Sequence, residues 1–421
     1  MAKYIFSNFG KKFSKITGIS RLMSDLDTAL NQSKEIYFLG GGNPAFIPEA
    51  VQKFQKEILK IANNTEEFMK TAGIYDSAQG NTEFIETLRD YLNDTYKLNL
   101  KNENIALTNG SQNSFFLLFN LLAGEFSKGN TKKILLPLVP EYIGYSDIGV
   151  EKDLFISIKP DIEYLDEPFF KYKINFNSLE KIENISLICL SRPTNPSGNL
   201  ITDEEIYKLH EIAKRKNIPL MIDNAYGMPF PGIIFEKANQ IWDENIILTM
   251  SLSKLGLPAA RTGIIIANSE IINAVTQMNA VINLSVNSFG PAILKNLIKN
   301  KDINHISNNI IKPYYQKKSN EAFDFLIKEL NGVPNFKVHK NEGAFFIWLW
   351  LKDFPVSSLE FYEILKKRNV FVVPGNYYFP GLKEKWSHKE ECLRISYAME
   401  SSVVKKGLSI IADEIKKNLA R

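Results

Sequence analysis

The sequence predicts an α/β protein, with a large unit on a mostly parallel central sheet covered by helices on both faces and a smaller α+β unit after it. Three observations predict this. From about Asn104 to Asn268 short apolar runs alternate with small-residue turns and helical patterns, the rhythm of strands joined by helical crossovers. Beyond Asn268 a long helical stretch leads into closely spaced apolar runs of strand length. A length of 421 residues also suits two or three domains of ~150 residues each.

In chain order, Asn104 to Thr108 reads as a strand and Gln112 to Ala123 as a helix. Ile134 to Leu138 and Ile185 to Leu190 are strand-length apolar runs. Thr202-Asp-Glu-Glu205 then forms a capping box ahead of Ile206, Leu209 and Ala213 at helical spacing. Ile218 to Asp223, Ile246 to Met250 and Gly263 to Ala267 complete the strands of the large unit. In the smaller unit a helix over Ile306 to Leu330, with Pro313 near its start, precedes strands at Asn335 to His339, Ala344 to Leu351, Val370 to Val373 and Leu393 to Tyr397. Helical patterns fall at Ser358 to Arg368 and Ser402 to Leu419. The expected division is an irregular N-terminal segment, 1–52, packing with the small unit, then a large unit, 53–304, and a small unit, 305–421.

Hydrophobic residues at 44% and charged residues at 23% are an ordinary globular balance, which argues against wholesale disorder. Fifty-one basic against 47 acidic residues leave a net charge of +4, too dilute for a nucleic-acid partner. Cys189 and Cys392 sit in apolar settings that suit core packing rather than a disulfide. No stretch has signal-peptide character, and the longest apolar run, Ala344 to Leu351, is too short to span a bilayer. The expectation is a cytoplasmic protein without a membrane partner.

Ligands of open α/β sheets bind beyond the carboxyl ends of the strands, and those ends carry assorted polar chemistry. They are Thr108-Asn-Gly-Ser-Gln112, Ser191-Arg-Pro-Thr-Asn-Pro-Ser-Gly198, Asp223-Asn-Ala-Tyr226 and Ser251-Leu-Ser-Lys254, with Arg261 following. Gly110-Ser111-Gln112 opens a helix whose free amides suit a phosphate, although the same letters also make an ordinary turn. Asp223 can bind a metal, cap a helix or pair with a cation. Lys254 decides among these readings. An amine there can form a Schiff base with a carbonyl cofactor, the neighbouring hydroxyls and Arg261 can hold a phosphate, and a strand-end carboxylate can keep a pyridine nitrogen protonated. Those are the needs of pyridoxal phosphate.

The ordered set Gly110-Ser111-Gln112, Asn195-Pro-Ser-Gly198, Asp223-x-x-Tyr226, Ser251-x-Ser-Lys254, Arg261 and Arg394 resembles the fold-type I pyridoxal-phosphate aminotransferases. More narrowly, Gly40-Gly-Gly-Asn-Pro44, Pro140-Glu-Tyr-Ile-Gly-Tyr145, Asp223-Asn-Ala-Tyr-Gly227 and Phe230-Pro-Gly-Ile-Ile-Phe235 resemble the bacterial valine–pyruvate aminotransferases. The resemblance runs from about Phe6 through the C-terminal helix. It implies that Lys254 holds pyridoxal 5′-phosphate covalently through the cofactor aldehyde, as an internal aldimine, and then shuttles a proton, while Asp223 pairs with the pyridinium nitrogen. It further implies that Asn195 and Tyr226 hydrogen-bond the ring oxygen and that Tyr142 stacks on the ring. Gly110, Ser111, Gln112, Ser251, Ser253 and Arg261 would cradle the phosphate, joined by Tyr75 from the neighbouring subunit of a homodimer. Arg394 would clamp the substrate carboxylate, with Gly42 and Asn43 beside it. Asn224 departs from the acidic residue common after the aspartate.

The implied reaction exchanges an amino group between valine or alanine and pyruvate or 3-methyl-2-oxobutanoate, in a ping-pong cycle. A broader neutral amino-acid aminotransferase and a lyase on the same scaffold are the alternatives. A second cation for an acidic side chain is missing from the motif segments unless Arg192 supplies it, and an apolar edge is expected from Phe6 to Phe9, Ile16 to Ile19 and Tyr377 to Phe379. Gly40-Gly-Gly-Asn-Pro-Ala45 fits a dinucleotide pattern only nominally, because Pro44 interrupts the turn and no acid-ended strand follows. The motifs begin at Gly40, which is expected to leave no room for a DNA-binding module. The four histidines show no ligand spacing, so no metal is expected.

Overall fold

The computed structural model describes residues 4–18, 20, 23–25, 27 and 35–420. Its larger sheet has eight strands. Seven follow the order Ile105–Thr108, Gly263–Ile266, Ile246–Ser251, Leu220–Asp223, Ile185–Ser191, Asn130–Leu136 and Gly124–Ser127, and Phe155–Ser157 also pairs with Asn130–Leu136. The central pairings are parallel. Gly263–Ile266 runs against both its neighbours, which leaves Ile105–Thr108 pointing the same way as the parallel set. All seven residues of Ile185–Ser191 are buried, as a strand covered on both faces requires. The expected capping box forms, with Thr202 accepting from the Glu205 amide and Glu205 accepting from the Thr202 amide.

The common direction of these strands brings Thr108, Ser191, Asp223 and Ser251 to one edge. Register makes this concrete, since Ser191 lies opposite Asp223 and Asp223 opposite Thr249. Chemistry scattered over some 150 positions of sequence is thereby assembled by strand pairing alone.

The second sheet has six strands in the order Val373–Pro374, Cys392–Ser396, Phe346–Leu351, Phe336–His339, Phe169–Lys173 and Asp161–Tyr164. The last two lie inside the segment expected to belong wholly to the large unit. Their excursion has a packing reason, because Phe170 meets Trp350 and His339 edge-on at ring centroids of 5.4 Å and thereby extends an aromatic core. Val370 to Val373 splits between two sheets. Val370–Phe371 pairs with Tyr37–Phe38 of the N-terminal segment, and Val373 pairs with Arg394. The long helix also divides, with a wide π-helical stretch at Ile306–Ile311 leading into Lys312–Glu329. Pro313, which has no N–H for the preceding turn, stands where the two meet.

A buried ion pair ties the two sheets together. Lys171, from the small sheet, gives 2.7 Å bonds to both oxygens of Glu342, and Glu342 accepts the Leu200 amide at 2.9 Å. Gly198 approaches Gly343 so closely that a β-carbon there would lie 2.7 Å from the Gly343 oxygen. The loop 194–200, which carries Asn195, is therefore fixed from the far side. Cys189 and Cys392 are both buried and free.

Candidate active site

A cavity of about 280 Å³ opens at the strand-end edge, between the two sheets and beneath the loop at Gly40–Asn43. Asp223 forms part of its floor. The carboxylate accepts the Tyr145 hydroxyl at 2.8 Å and the Ala225 amide at 2.9 Å. Burial pushes its pKa up to about 6, and those two donors hold it from rising further. A carboxylate in this state takes up a cationic N–H partner readily, since pairing removes the burial penalty.

Lys254 follows the neighbouring strand, and its Nζ donates to the Gly42 oxygen at 2.6 Å. The ammonium lies over the ring of Tyr226 at 5.5 Å. Burial, with Arg394 and Arg261 adding repulsion against the pull of Asp223, lowers its pKa to about 8. Lys254 is thus an amine that becomes nucleophilic near neutrality rather than a solvated cation. Tyr226 is buried against Phe345 and Phe346, and its hydroxyl has no partner within the protein.

Arg394 reaches the cavity from the strand Cys392–Ser396. Its Nη1 donates to Asn195 Oδ1 at 2.9 Å and its Nη2 to the Gly40 oxygen at 2.7 Å, while Nε is buried without a partner. The guanidinium lies 4.3 Å from the centre of the Phe346 ring. Packing on an aromatic face holds its plane, which suits bidentate binding of a carboxylate.

At the opposite end, Gly110 caps the helix Ser111–Leu122 at φ +91°, and no side chain caps that helix. A β-carbon on Gly110 would lie 2.3 Å from Arg261 Nη2, so only glycine lets the guanidinium cross the helix start. Arg261 itself adopts a left-handed φ of 39°, a strained conformation typical of functional loops. Ser251 and Ser253 join their hydroxyls at 3.0 Å. Unpaired helix amides, two hydroxyls and a guanidinium make an anion cradle.

The cavity brings together Gly42, Asn43, Ser111, Gln112, Tyr142, Asn195, Asp223, Tyr226, Ser251, Ser253, Lys254, Arg261 and Arg394. Two expectations need adjusting, those for the Gln112 side chain and for the apolar edge. The Gln112 side chain donates to the Gly144 oxygen at 3.0 Å, which leaves its backbone amide for an anion. Tyr75 is 80% exposed and lies outside the cavity of its own chain. Of the expected apolar edge, Tyr378 from the run Tyr377 to Phe379 lines the cavity, beside Phe38, Phe115, Ile143 and Val373, while Phe6, Phe9 and Ile16 are solvent-exposed and Ile19 lies outside the described residues.

Arg192 is spoken for elsewhere. It bonds the Ile201 and Asn239 oxygens and pairs with Asp203, so it brings no second cation to the cavity. Tyr145 and Glu141 carry the site from below and were given no role from sequence. Both stand in the run Pro140 to Tyr145, where the aromatic at every third position was the available signal. Among the described residues no cluster of histidine, cysteine and carboxylates has the makings of a metal site.

Residues 35–411 match the family model for aminotransferase class I and II. The chain is 47% identical to the valine–pyruvate aminotransferase of Escherichia coli (strain K12), across 98% of either protein. Among solved structures, it is similar to a putative amino-acid aminotransferase from Psychrobacter arcticum 273-4, at 46% identity, full coverage of both chains (100%) and a TM-score of 0.97. It is also similar to the valine–pyruvate aminotransferase of Salmonella typhimurium LT2, at 45% identity, covering 96% of this chain and 100% of that one, with a TM-score of 0.88.

Proposed function

The chain belongs to the class I and II aminotransferases, in their fold-type I architecture, and from that premise we propose that it uses pyridoxal 5′-phosphate to exchange the amino group of valine or alanine with pyruvate or 3-methyl-2-oxobutanoate. The observation that carries the cofactor reading is one cavity holding a depressed lysine, a buried carboxylate and an unpartnered tyrosine hydroxyl. The donor set fits the group. When bound, pyridoxal phosphate supplies the carbonyl that takes up the amine and a ring that withdraws electrons from the substrate α-carbon.

The protein's own groups divide the remaining work. Asp223 holds a proton at the ring nitrogen, and the Tyr145 hydroxyl keeps that carboxylate oriented. The amine of Lys254 would hold the cofactor carbonyl and would carry a proton to and from the substrate α-carbon. Tyr226 and the amide nitrogen of Asn195 are free to donate to the ring oxygen, because Arg394 occupies only the Asn195 oxygen. Tyr142, in the cavity lining, would stack on the cofactor ring. Arg394 binds the substrate carboxylate, exchanging its bond to the Gly40 oxygen for the stronger charge-assisted pair.

Side-chain choice follows from the apolar part of the cavity lining. Phe38, Phe115, Ile143 and Val373 belong to it, and with Arg192 paired to Asp203 no guanidinium among the described residues awaits a second carboxylate. One methylene is worth only ~1–3 kcal/mol in such a pocket, so several small aliphatic donors react. The test is a donor–acceptor screen of the purified protein with pyruvate and 3-methyl-2-oxobutanoate. Valine, alanine and 2-aminobutyrate are expected to lead. Aspartate or glutamate outpacing them would overturn the substrate assignment and leave aminotransfer standing.

The working form in this reading is a cytoplasmic homodimer. Tyr75, with Ile74 beside it at 61% exposure and Val281 and Leu284 at 86% and 65%, gives an apolar surface of the kind a second subunit covers. Light scattering at assay concentration is expected to give twice the chain mass, and a fully active monomer would refute it. Among the described residues no helix is long and apolar enough to cross a membrane.

A further inference from the structure

Glu141 is fully buried, at 0% exposure, and its partners are N–H and O–H groups rather than a cation. Oε1 accepts the Ser191 amide at 2.7 Å, while Oε2 accepts the Ser191 hydroxyl at 2.6 Å and the Tyr142 amide at 3.1 Å. Its own amide donates to the Tyr378 oxygen at 2.8 Å. Ser191, Tyr142 and Tyr378 each line the cavity, and they come from three different parts of the fold. Ser191 is the strand-end residue in register with Asp223.

Burying a carboxyl without a counter-cation is costly. Here the cost is visible, since burial and the nearby Asp223 raise its pKa to about 8 against the pull of its three donors. A packing role at this position needs only an apolar side chain. A carboxyl is retained where two acceptors must be presented at fixed separation to two backbone amides and a hydroxyl.

We infer that Glu141 is a positioning residue for aminotransfer, joining the strand end beside Asp223 to the Tyr142 turn so that the carboxylate under the ring nitrogen and the aromatic on the ring face keep one spacing. Glu141 itself stands behind the residues that line the cavity and is not one of them. The substrate clamp, Arg394 with Asn195 and Gly40, is held by separate bonds. The signature is therefore a fall in kcat and in cofactor retention with little change in KM for the amino donor.

The inference rests on the cofactor reading above, so one arm of its test is independent of it. Glu141→Gln preserves shape but places an NH2 against one of the two amides. Losing one such buried bond is expected to lower kcat about ten-fold and weaken pyridoxal phosphate retention by a similar factor, with KM for valine within about two-fold. Glu141→Ala is expected to do more. Amide hydrogen exchange at Tyr142 and Ser191, measured on protein freed of cofactor, is expected to quicken in Glu141→Gln whatever the ligand proves to be. Unaltered exchange at both amides overturns the inference, as does a rise in KM at parental kcat, or parental kcat and retention with only a lowered Tm. Failure of the parent protein to take up pyridoxal phosphate, with exchange still quickened, would instead strike the cofactor reading.

Discussion

At the sheet end of the cavity Asp223, Tyr226 and Asn195 are 4–5% exposed and fastened by strand register and buried partners, whereas at the anion end Arg261 is open to solvent and the serine hydroxyls bond one another. The two ends do different physical work. Burial penalises the charged form of each group at the sheet end, which is why Asp223 and Lys254 move toward each other in pKa, to about 6 and about 8, against their mutual attraction. At the anion end Ser251 is buried, but Ser111, Gln112 and Ser253 are half-buried and Arg261 is exposed, so the guanidinium is screened and partly replaceable by the parallel donors. Reactivity is concentrated where the protein is dry, and tethering is spread where it is wet.

The harshest way to break this contrast is to remove the amine. Lys254→Ala is expected to abolish turnover and any borohydride-reducible adduct with pyridoxal phosphate, and an adduct persisting at the same site would mean that another residue is the nucleophile. In the parent protein freed of cofactor, adduct formation should speed up as pH rises through about 8, because the amine loses its proton there. A profile that rises only near the ordinary lysine range would show that burial does not tune it.

Asp223→Ala comes next. Removing a preorganised buried charge typically costs ~10²–10³ in kcat, and the phosphate anchors are expected to keep the cofactor in place, as absorbance after gel filtration reports. Near-normal turnover would reduce this carboxylate to a structural cap. The smallest effect belongs to the wet end. Arg261→Ala is expected to raise the cofactor dissociation constant about ten-fold while kcat at saturating cofactor stays within about two-fold. A kcat loss as large as that of Asp223→Ala would erase the distinction between the two ends.

The same contrast explains what the sequence could reveal. Strand ends are legible because apolar runs stop abruptly at Thr108, Ser191, Asp223 and Ser251, and the side chains there are chemically specific. Lys254 and Arg261 stood out for that reason. The distant partners that hold the site from outside these motifs were not legible. Tyr145 meets Asp223 across 78 positions, and Lys171 meets Glu342 across 171, distances over which no local pattern carries information. Arg192 illustrates the reverse failure, since its place beside the Asn195 loop suggested a substrate cation until Asp203 and two carbonyls claimed it. Phe169–Lys173 was missed because a short aromatic run alternating with lysine states a strand but not which sheet it joins.

The strap at Gly40 to Gly42 has a consequence of its own kind. Its carbonyl oxygens occupy both Arg394 and Lys254, so it behaves as a resident competitor for two chemically different ligands. A carboxylate or a carbonyl entering the site displaces an intramolecular occupant, and its apparent affinity is the intrinsic one scaled by the fraction of time the strap has withdrawn. Carbonyls belong to every residue, which puts this competition beyond adjustment by swapping the side chains that bear it. The adjustable quantity is the strap's freedom to leave. That freedom is governed by the Ser396 amide bonded to the Leu39 oxygen at 2.6 Å and by Gly41, where a β-carbon would press on Phe38 at 2.7 Å. Affinity for donor and cofactor is thereby linked through backbone that neither of them replaces permanently.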